Sequence, residues 1–402
     1  MTGFCPCGEN ATDNPADAGT CGAFPCLYRH FCGDLPPDDA RRPRPLPWSD
    51  PREVGRIAVV RPGQLGDLLL ALPGLRALRR GFPAAEITLI AQPWAADLFG
   101  RFDWIDRILP LPGRPGDGDP EAGSAPAAFL AEARSHDYDL VLQLQADVPA
   151  FARLALALRG RATAGFCADQ EVGANFHLLL SMSPREPELL RVLRLVHALG
   201  IPSAGVQLEF PLLPEDEEEL ERIPRLEELL RHRPLIALHA GARAPARRWP
   251  LARFGELAAL LRERYGAALL MVGGPEEAPL GDQLGERLGE HALKLAGKLS
   301  LGGLAALLAR VDLFVGNDSG PAQLAAATAP RSLRIFGPAN RQRWAPLDRA
   351  RHRIVYRQVE CSPCDHFECP IDHRCLEWIT VEEVMAELGP LLRAWELAVS
   401  GG

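Results

Sequence analysis

From residue 56 the chain alternates short apolar runs with amphipathic stretches, breaks off in an acidic segment, and then begins the alternation again. The first series reads RIAVVRP, LLLALPGLRALRRG, EITLIAQ, WIDRILPL, AAFLAEARSH, YDLVLQLQ and PAFARLALALRG, followed by RATAGF. Short continuous apolar runs predict strands buried on both faces, and apolar residues at helical spacing predict the crossovers between them. Strand and helix in strict alternation bury all their apolar faces in a parallel sheet covered by helices. The second series reads LIALHAG, PLARFGELAALLRERYG, AALLMVGG, GDQLGERLGEH, LGGLAALLARV, DLFVGND, GPAQLAAATA and RSLRIFG. VEEVMAELGPLLRAWELAV closes the chain as a last amphipathic helix.

Between the two series lies PEDEEELERIPRLEELLRHRP, acidic at its start and interrupted by proline, read as a solvated helical face in an inter-domain region around 205–233. The expected organisation is therefore a Cys-rich extension and Pro-rich linker (1–50), two α/β domains (51–215 and 216–380), and a C-terminal helix (381–402). The stretch RPGDGDPEAGSAPA reads as a flexible loop. A net charge of −8 argues against a nucleic-acid partner, which asks for a basic surplus. No apolar run reaches the ~18 residues of a membrane span. The first residues, MTGFCPCGENATDNPADAG, lack the basic and apolar regions of a signal peptide. The expectation is a cytoplasmic protein.

Three segments carry chemistry. In IAVVRPGQLGDLLLALPGLRALRRG a strand, a Gly-containing turn and a helix follow one another, and Asp67 stands at the mouth of the helix. An aspartate there is ordinarily a cap, accepting the free N–H groups of the first turn. In HAGARAPARRWPLARFGEL a strand ends in a loop bearing Arg243, Arg247 and Arg248 just before a helix. Guanidinium groups beside a helix N-terminus suit a phosphate. In FVGNDSGPAQLAAATA a strand delivers Asp318, Ser319 and Gly320 into a turn, and Pro321 opens a helix. A backbone N–H there can hold a diphosphate, and Asp318 can accept from sugar hydroxyls. Neither G-x-G-x-x-G nor G-x-x-x-x-G-K-[ST] occurs. MVGGPEE could face a nucleotide, but strand–GG–loop is a common pattern.

Together and in this order, these segments resemble glycosyltransferase family 9, the ADP-heptose:lipopolysaccharide heptosyltransferases and their relatives, over roughly residues 56–395. The resemblance implies a GT-B fold of two Rossmann-like domains facing each other across a cleft, and an inverting transfer from a nucleotide-activated heptose with no catalytic cofactor. It implies that Asp67 is the general base, with Arg61, Gly63, Gln64 and Gly66 on the acceptor side. The donor side would be Gly241, Arg243, Asp318, Ser319, Gly320 and Gln323. Arg247 or Arg248 would neutralise the departing diphosphate. Family members commonly carry His where this chain has Gln323. The partners implied are ADP-heptose and a lipopolysaccharide or other glycan acceptor, with peripheral contact at the inner membrane. Two other readings stay open: heptose transfer to a protein or small molecule, and a non-catalytic metal-bearing scaffold.

The ten cysteines are clustered. CSPCDHFECPIDHRCL places Cys361, Cys364, Cys369 and Cys375 within fifteen residues, a donor set suited to structural zinc or iron. By the resemblance, many family members share this segment and one branch holds iron there. Cys5, Cys7, Cys21, Cys26 and Cys32, with His30, are candidates for a second site. Cys167 stands alone and reads as a small core residue.

Overall fold

The computed structural model describes residues 44–48, 50–113, 125–145, 149–289, 292–364 and 366–400. The Cys-rich extension with Cys5, Cys7, Cys21, Cys26, Cys32 and His30, most of the linker, and most of the loop at 113–126 lie outside the described residues. The chain divides into two compact units, Met1–Leu208 and Glu209–Gly402.

The first unit holds a six-stranded parallel sheet of β1 (Arg56–Val60), β2 (Glu86–Ala91), β3 (Arg107–Pro110), β4 (Leu140–Gln143), β5 (Ala162–Phe166) and β6 (Leu178–Leu180), in the order β3-β2-β1-β4-β5-β6. β1 is central: Val60 pairs with Ile90 of β2 and with Gln143 of β4. Its residues Ile57, Ala58, Val59 and Val60 are wholly buried, as expected of a strand covered on both faces. Helix Leu65–Gly81 leaves the end of β1 and packs against helix Glu188–Ala198. The contact is close at Gly74, where a Cβ would lie 2.4 Å from Cγ1 of Val192. Any side chain there would drive the two helices apart.

The second unit repeats the plan with β7 (Leu235–His239), β8 (Ala268–Met271), β9 (Ala292–Lys294), β10 (Leu313–Asn317), β11 (Ser332–Phe336) and β12 (His352–Tyr356), in the order β12-β11-β10-β7-β8-β9. Counted from the first strand of each unit, the two orders are the same, that of the Rossmann doubly-wound sheet. The switch points fall between β1 and β4 and between β7 and β10. The C-terminal helix Val381–Ser400 packs on helix Leu251–Tyr265 and on β11 and β12. Its Val384, Leu388, Leu391 and Leu392 enter the same core as Trp249, Phe254 and Leu257. Each such large apolar side chain contributes roughly 1.5–3 kcal/mol when fully buried.

The structure adds elements with no expectation in the sequence: β6, β9, β12 and helix Glu188–Ala198. The three strands lie at or next to sheet edges and are three to five residues long, too short for a clear period. Cys167 is only half-buried, its thiol donating to the Asp169 carbonyl, so it is not the core residue expected. Among the described residues no helix is long and apolar enough to cross a membrane.

Candidate active site

In the first unit Asp67 occupies the first turn of helix Leu65–Gly81, at the switch point beyond β1. Its Oδ2 accepts the Gln64 backbone N–H at 2.7 Å, so the carboxylate does cap the helix. Its side chain keeps 15% exposure. Gly63 makes this placement possible: a Cβ there would lie 2.4 Å from Cβ of Asp67. Gln64 and Gly66 are half-buried on the same turn.

Arg61 corrects the sequence expectation. Its side chain is wholly buried, so it has no face toward an acceptor. The guanidinium donates to the Asp67 carbonyl at 3.0 Å, to the Leu144 carbonyl, and to Oε1 of Glu188 at 2.8 Å. It lies 3.8 Å from the Asp67 carboxylate. Beyond it runs a chain of buried charges. Arg191 contacts Glu188 at 3.1 Å and Glu186 at 3.5 Å, and Arg194 contacts Glu186 at 2.6 Å. Buried ions are tolerated only when paired in this way. Glu186, Glu188, Arg191 and Arg194 escaped the sequence reading, although helix Glu188–Ala198 is buried from Glu188 to Val196, its charged residues included. Charged residues in such a helix have to be buried with partners.

In the second unit the loops after β7, β8 and β10 meet at the switch point between β7 and β10. Asn317, the last residue of β10, accepts the Trp249 N–H at 3.0 Å and donates to the Ala240 carbonyl at 2.8 Å, tying the arginine loop to the sheet. Arg247 and Arg248 are no longer equivalent. Arg248 donates from Nε to the Ala242 carbonyl at 2.8 Å. Arg247 is 34% exposed and lies 3.7 Å from Oδ2 of Asp318. Arg243 is exposed.

Asp318 is almost fully buried, with Arg334 3.4 Å from Oδ1. Burial pushes its carboxyl above the usual range, against the pull of Arg334 and Arg247. The same burial pushes Arg334 down to about 10, against the pull of Asp318. Gln323 also departs from expectation. It is buried, donating to the Trp344 carbonyl at 2.7 Å and accepting from Arg334 at 3.2 Å. Its amide is spent on the interior and not on a donor.

Ser319 precedes helix Gly320–Thr328 and faces Nδ1 of His239 at 3.2 Å. His239 is buried, and its Nε2 meets Oε2 of Glu277 at 2.8 Å. Glu277, from MVGGPEE, also accepts the Gly274 N–H at 2.9 Å. Its carboxyl is held below the usual range by His239, the Gly274 N–H and Arg248, which together outweigh burial. Gly241 leaves the space for it, since a Cβ there would lie 1.8 Å from Oε1. Glu277 and His239 were not singled out in the sequence. The Gly-Gly before Glu277 was the signal, because a backbone without side chains marks a close approach.

Cys361, Cys364, Cys369 and Cys375 are free thiols lining one pocket with Ala246, Pro338 and His373. Burial and the three neighbouring cysteines push the Cys375 thiol up to about 11. Among the described residues, no three His, Cys, Asp or Glu side chains are arranged to hold a metal ion.

Residues 127–374, well over half of the chain, match glycosyltransferase family 9 (heptosyltransferase). A lipooligosaccharide heptosyltransferase 2 of Haemophilus ducreyi is 24% identical over 357 residues, covering 84% of this chain and 99% of that protein. The solved E. coli ADP-heptose lps heptosyltransferase II superposes with a TM-score of 0.66 at 22% identity, covering 85% of this chain and 99% of that one. A family 9 glycosyl transferase from Veillonella parvula superposes with a TM-score of 0.69 at 20% identity, covering 85% and 97%. These likenesses show the GT-B fold, here as two parallel sheets of six strands. The chain belongs to glycosyltransferase family 9, the heptosyltransferase family, and is a transferase enzyme.

Proposed function

We propose that the protein transfers heptose from ADP-heptose to a lipopolysaccharide inner-core acceptor with inversion at the anomeric carbon. Asp67 takes the proton of the acceptor hydroxyl. The acceptor oxygen forms the new bond to the anomeric carbon as the bond to the diphosphate breaks, and ADP leaves. The observation that carries this reading is the placement of Asp67. It is a partly exposed carboxylate at the switch point of its sheet, held by the Gln64 N–H, in a chain of this family. Arg61 serves as a positioning residue, bonded to the Asp67 carbonyl and buried beneath the loop.

The second unit takes the donor. Arg247, the Ser319 hydroxyl and the N-terminus of helix Gly320–Thr328 face the departing diphosphate, where cationic and N–H donors stabilise developing charge. Glu277, ionised and set in the Pro275–Glu277 turn that follows β8, accepts from the nucleoside hydroxyls, as acidic residues do in Rossmann-like folds. The test is incubation of the full chain with ADP-heptose and an inner-core glycolipid lacking its terminal heptose, following ADP release and the mass of the glycolipid. ADP release without a gain of one heptose in the glycolipid would exclude this acceptor.

The four thiols at 361–375 support a second, structural assignment, a zinc or iron site. The donor set has the chemistry of a closed S₄ centre, and the bonds of four thiolates to a bound cation would supply folding stability. Elemental analysis of protein purified under reducing, chelator-free conditions should show close to one equivalent, lost in Cys364→Ser. Metal-free wild-type protein with the same melting temperature would reject it.

A further inference from the structure

The cysteine segment has no part in the transfer as described, yet its contacts lead to the arginine loop. Pro245–Arg247 form one turn, closed by the Arg247 N–H on the Ala244 carbonyl at 2.9 Å and the Arg248 N–H on the Pro245 carbonyl at 3.0 Å. At its centre Ala246 is buried, and both of its backbone groups bond to the cysteine segment. Its N–H donates to the Phe367 carbonyl at 3.1 Å, and its carbonyl accepts from Nε2 of His373 at 2.5 Å. Ala246 also lines the pocket of the four thiols. The residues that follow are held from the same side. Trp249 donates from Nε1 to the Ile379 carbonyl at 3.0 Å, and Arg253 donates to the Ile379 carbonyl at 2.7 Å. The segment is itself anchored by the Cys364 N–H on the Pro338 carbonyl at 2.8 Å.

His373 has the left-handed backbone, φ 55°. A residue other than glycine keeps that conformation when its surroundings hold it. Here the conformation brings an imidazole N–H onto a carbonyl 127 residues away in sequence. Arg247 is the next residue after that carbonyl.

We propose that the cysteine segment braces the arginine turn, and that His373 is the positioning residue that sets Arg247 for the donor's diphosphate. This rests on the reading that the second unit binds ADP-heptose. His373 touches no substrate; it acts through Ala246.

The test compares ADP with AMP, which lacks the β-phosphate, by calorimetry on the full chain. His373→Asn suits the left-handed backbone but its short amide cannot reach the Ala246 carbonyl, whereas His373→Gln places an amide nitrogen where Nε2 stood. His373→Asn should weaken ADP about tenfold, the worth of one well-placed hydrogen bond, and AMP less than about twofold. His373→Gln should return ADP affinity to within about threefold of wild type. In an Arg247→Ala background, His373→Asn should cost less than about twofold more, because residues acting as one unit are not additive. Unchanged ADP affinity in His373→Asn, equal losses of ADP and AMP, or a Gln variant as weak as Asn would each overturn the proposal. Should His373→Asn fail to fold, His373→Gly, which suits the left-handed backbone and carries no side chain, takes its place in both backgrounds with the same expected losses. Wild-type protein that binds no ADP would remove the donor reading, and this inference with it.

Discussion

The two units have sheets of the same strand order, and the loops after β1 and β7 hold the same topological place, but they carry opposite chemistry. The loop after β1 presents a carboxylate, Asp67, with its cation, Arg61, buried underneath. The loop after β7 presents cations, Arg243 and Arg247, with a carboxylate, Asp318, buried 3.7 Å from Arg247. One arrangement suits accepting a proton and the other suits holding an anion. A doubly-wound sheet supplies the position and the loop supplies the function. The burial pattern inverts with the chemistry: in each unit the group with exposure is the one assigned to substrate, and its counter-ion serves to hold it.

If this division is real, neutralising Asp67 should leave the donor unit untouched. Asp67→Asn keeps a side-chain acceptor for the Gln64 N–H, and Asn caps helices about as well as Asp. Turnover should fall by roughly 10²–10⁴, the usual worth of a general base, with ADP affinity and melting temperature unchanged. Near-normal turnover would reduce Asp67 to a cap, and weakened ADP binding would break the separation of roles.

A smaller effect sharpens the donor side. Arg247→Ala should weaken ADP by about 1.5–3 kcal/mol, the range for hydrogen bonds to charged groups. Arg248→Ala should cost less, since its Nε already serves the Ala242 carbonyl. The reverse order would exchange their roles, and no loss in either would remove the arginine loop from diphosphate binding.

The second unit should also lose stability in acid. In the second unit His352 is buried, its Nδ1 accepting from Oγ of Ser332 at 2.9 Å, and burial lowers it from 6.5 to about 4. A base with a lowered folded pKa stabilises the fold above its unfolded value, and that stability is lost as pH falls. Between 6.5 and about 4 the unfolded chain takes up a proton that the folded chain refuses. The loss should reach about 2 kcal/mol by about pH 5. His352→Asn, which keeps an acceptor for Ser332 but cannot titrate, should flatten denaturant midpoints of the second unit over this window. An unaltered pH dependence would place the acid sensitivity elsewhere.

Much of the candidate site's placement was legible because it lies where strand, glycine and helix meet in sequence. Asp67 stands four residues after Gly63, and Asp318, Ser319 and Gly320 sit between a strand and a helix-opening proline. Those patterns are local, and local geometry followed. Arg61 and Gln323 were misjudged for the opposite reason. A polar residue beside a functional loop reads the same whether it faces outward or inward, and their burial against Glu188 and Arg334 depends on helices and strands far along the chain. Glu277 and His239 were missed because their pairing joins the last residue of β7 to the turn that follows β8, 38 residues on.

The sequence by itself determined that the chain forms two α/β units, where their switch-point loops begin, and which family they belong to. Period and turn chemistry are properties of neighbouring residues. Only the tertiary structure decided which charge of each pair is buried, which of two adjacent arginine side chains is bonded to a backbone carbonyl, and that a cysteine segment near residue 370 holds a turn near residue 246. Each of these depends on desolvation and hydrogen bonding between groups brought together by folding, and spacing along the chain does not encode them.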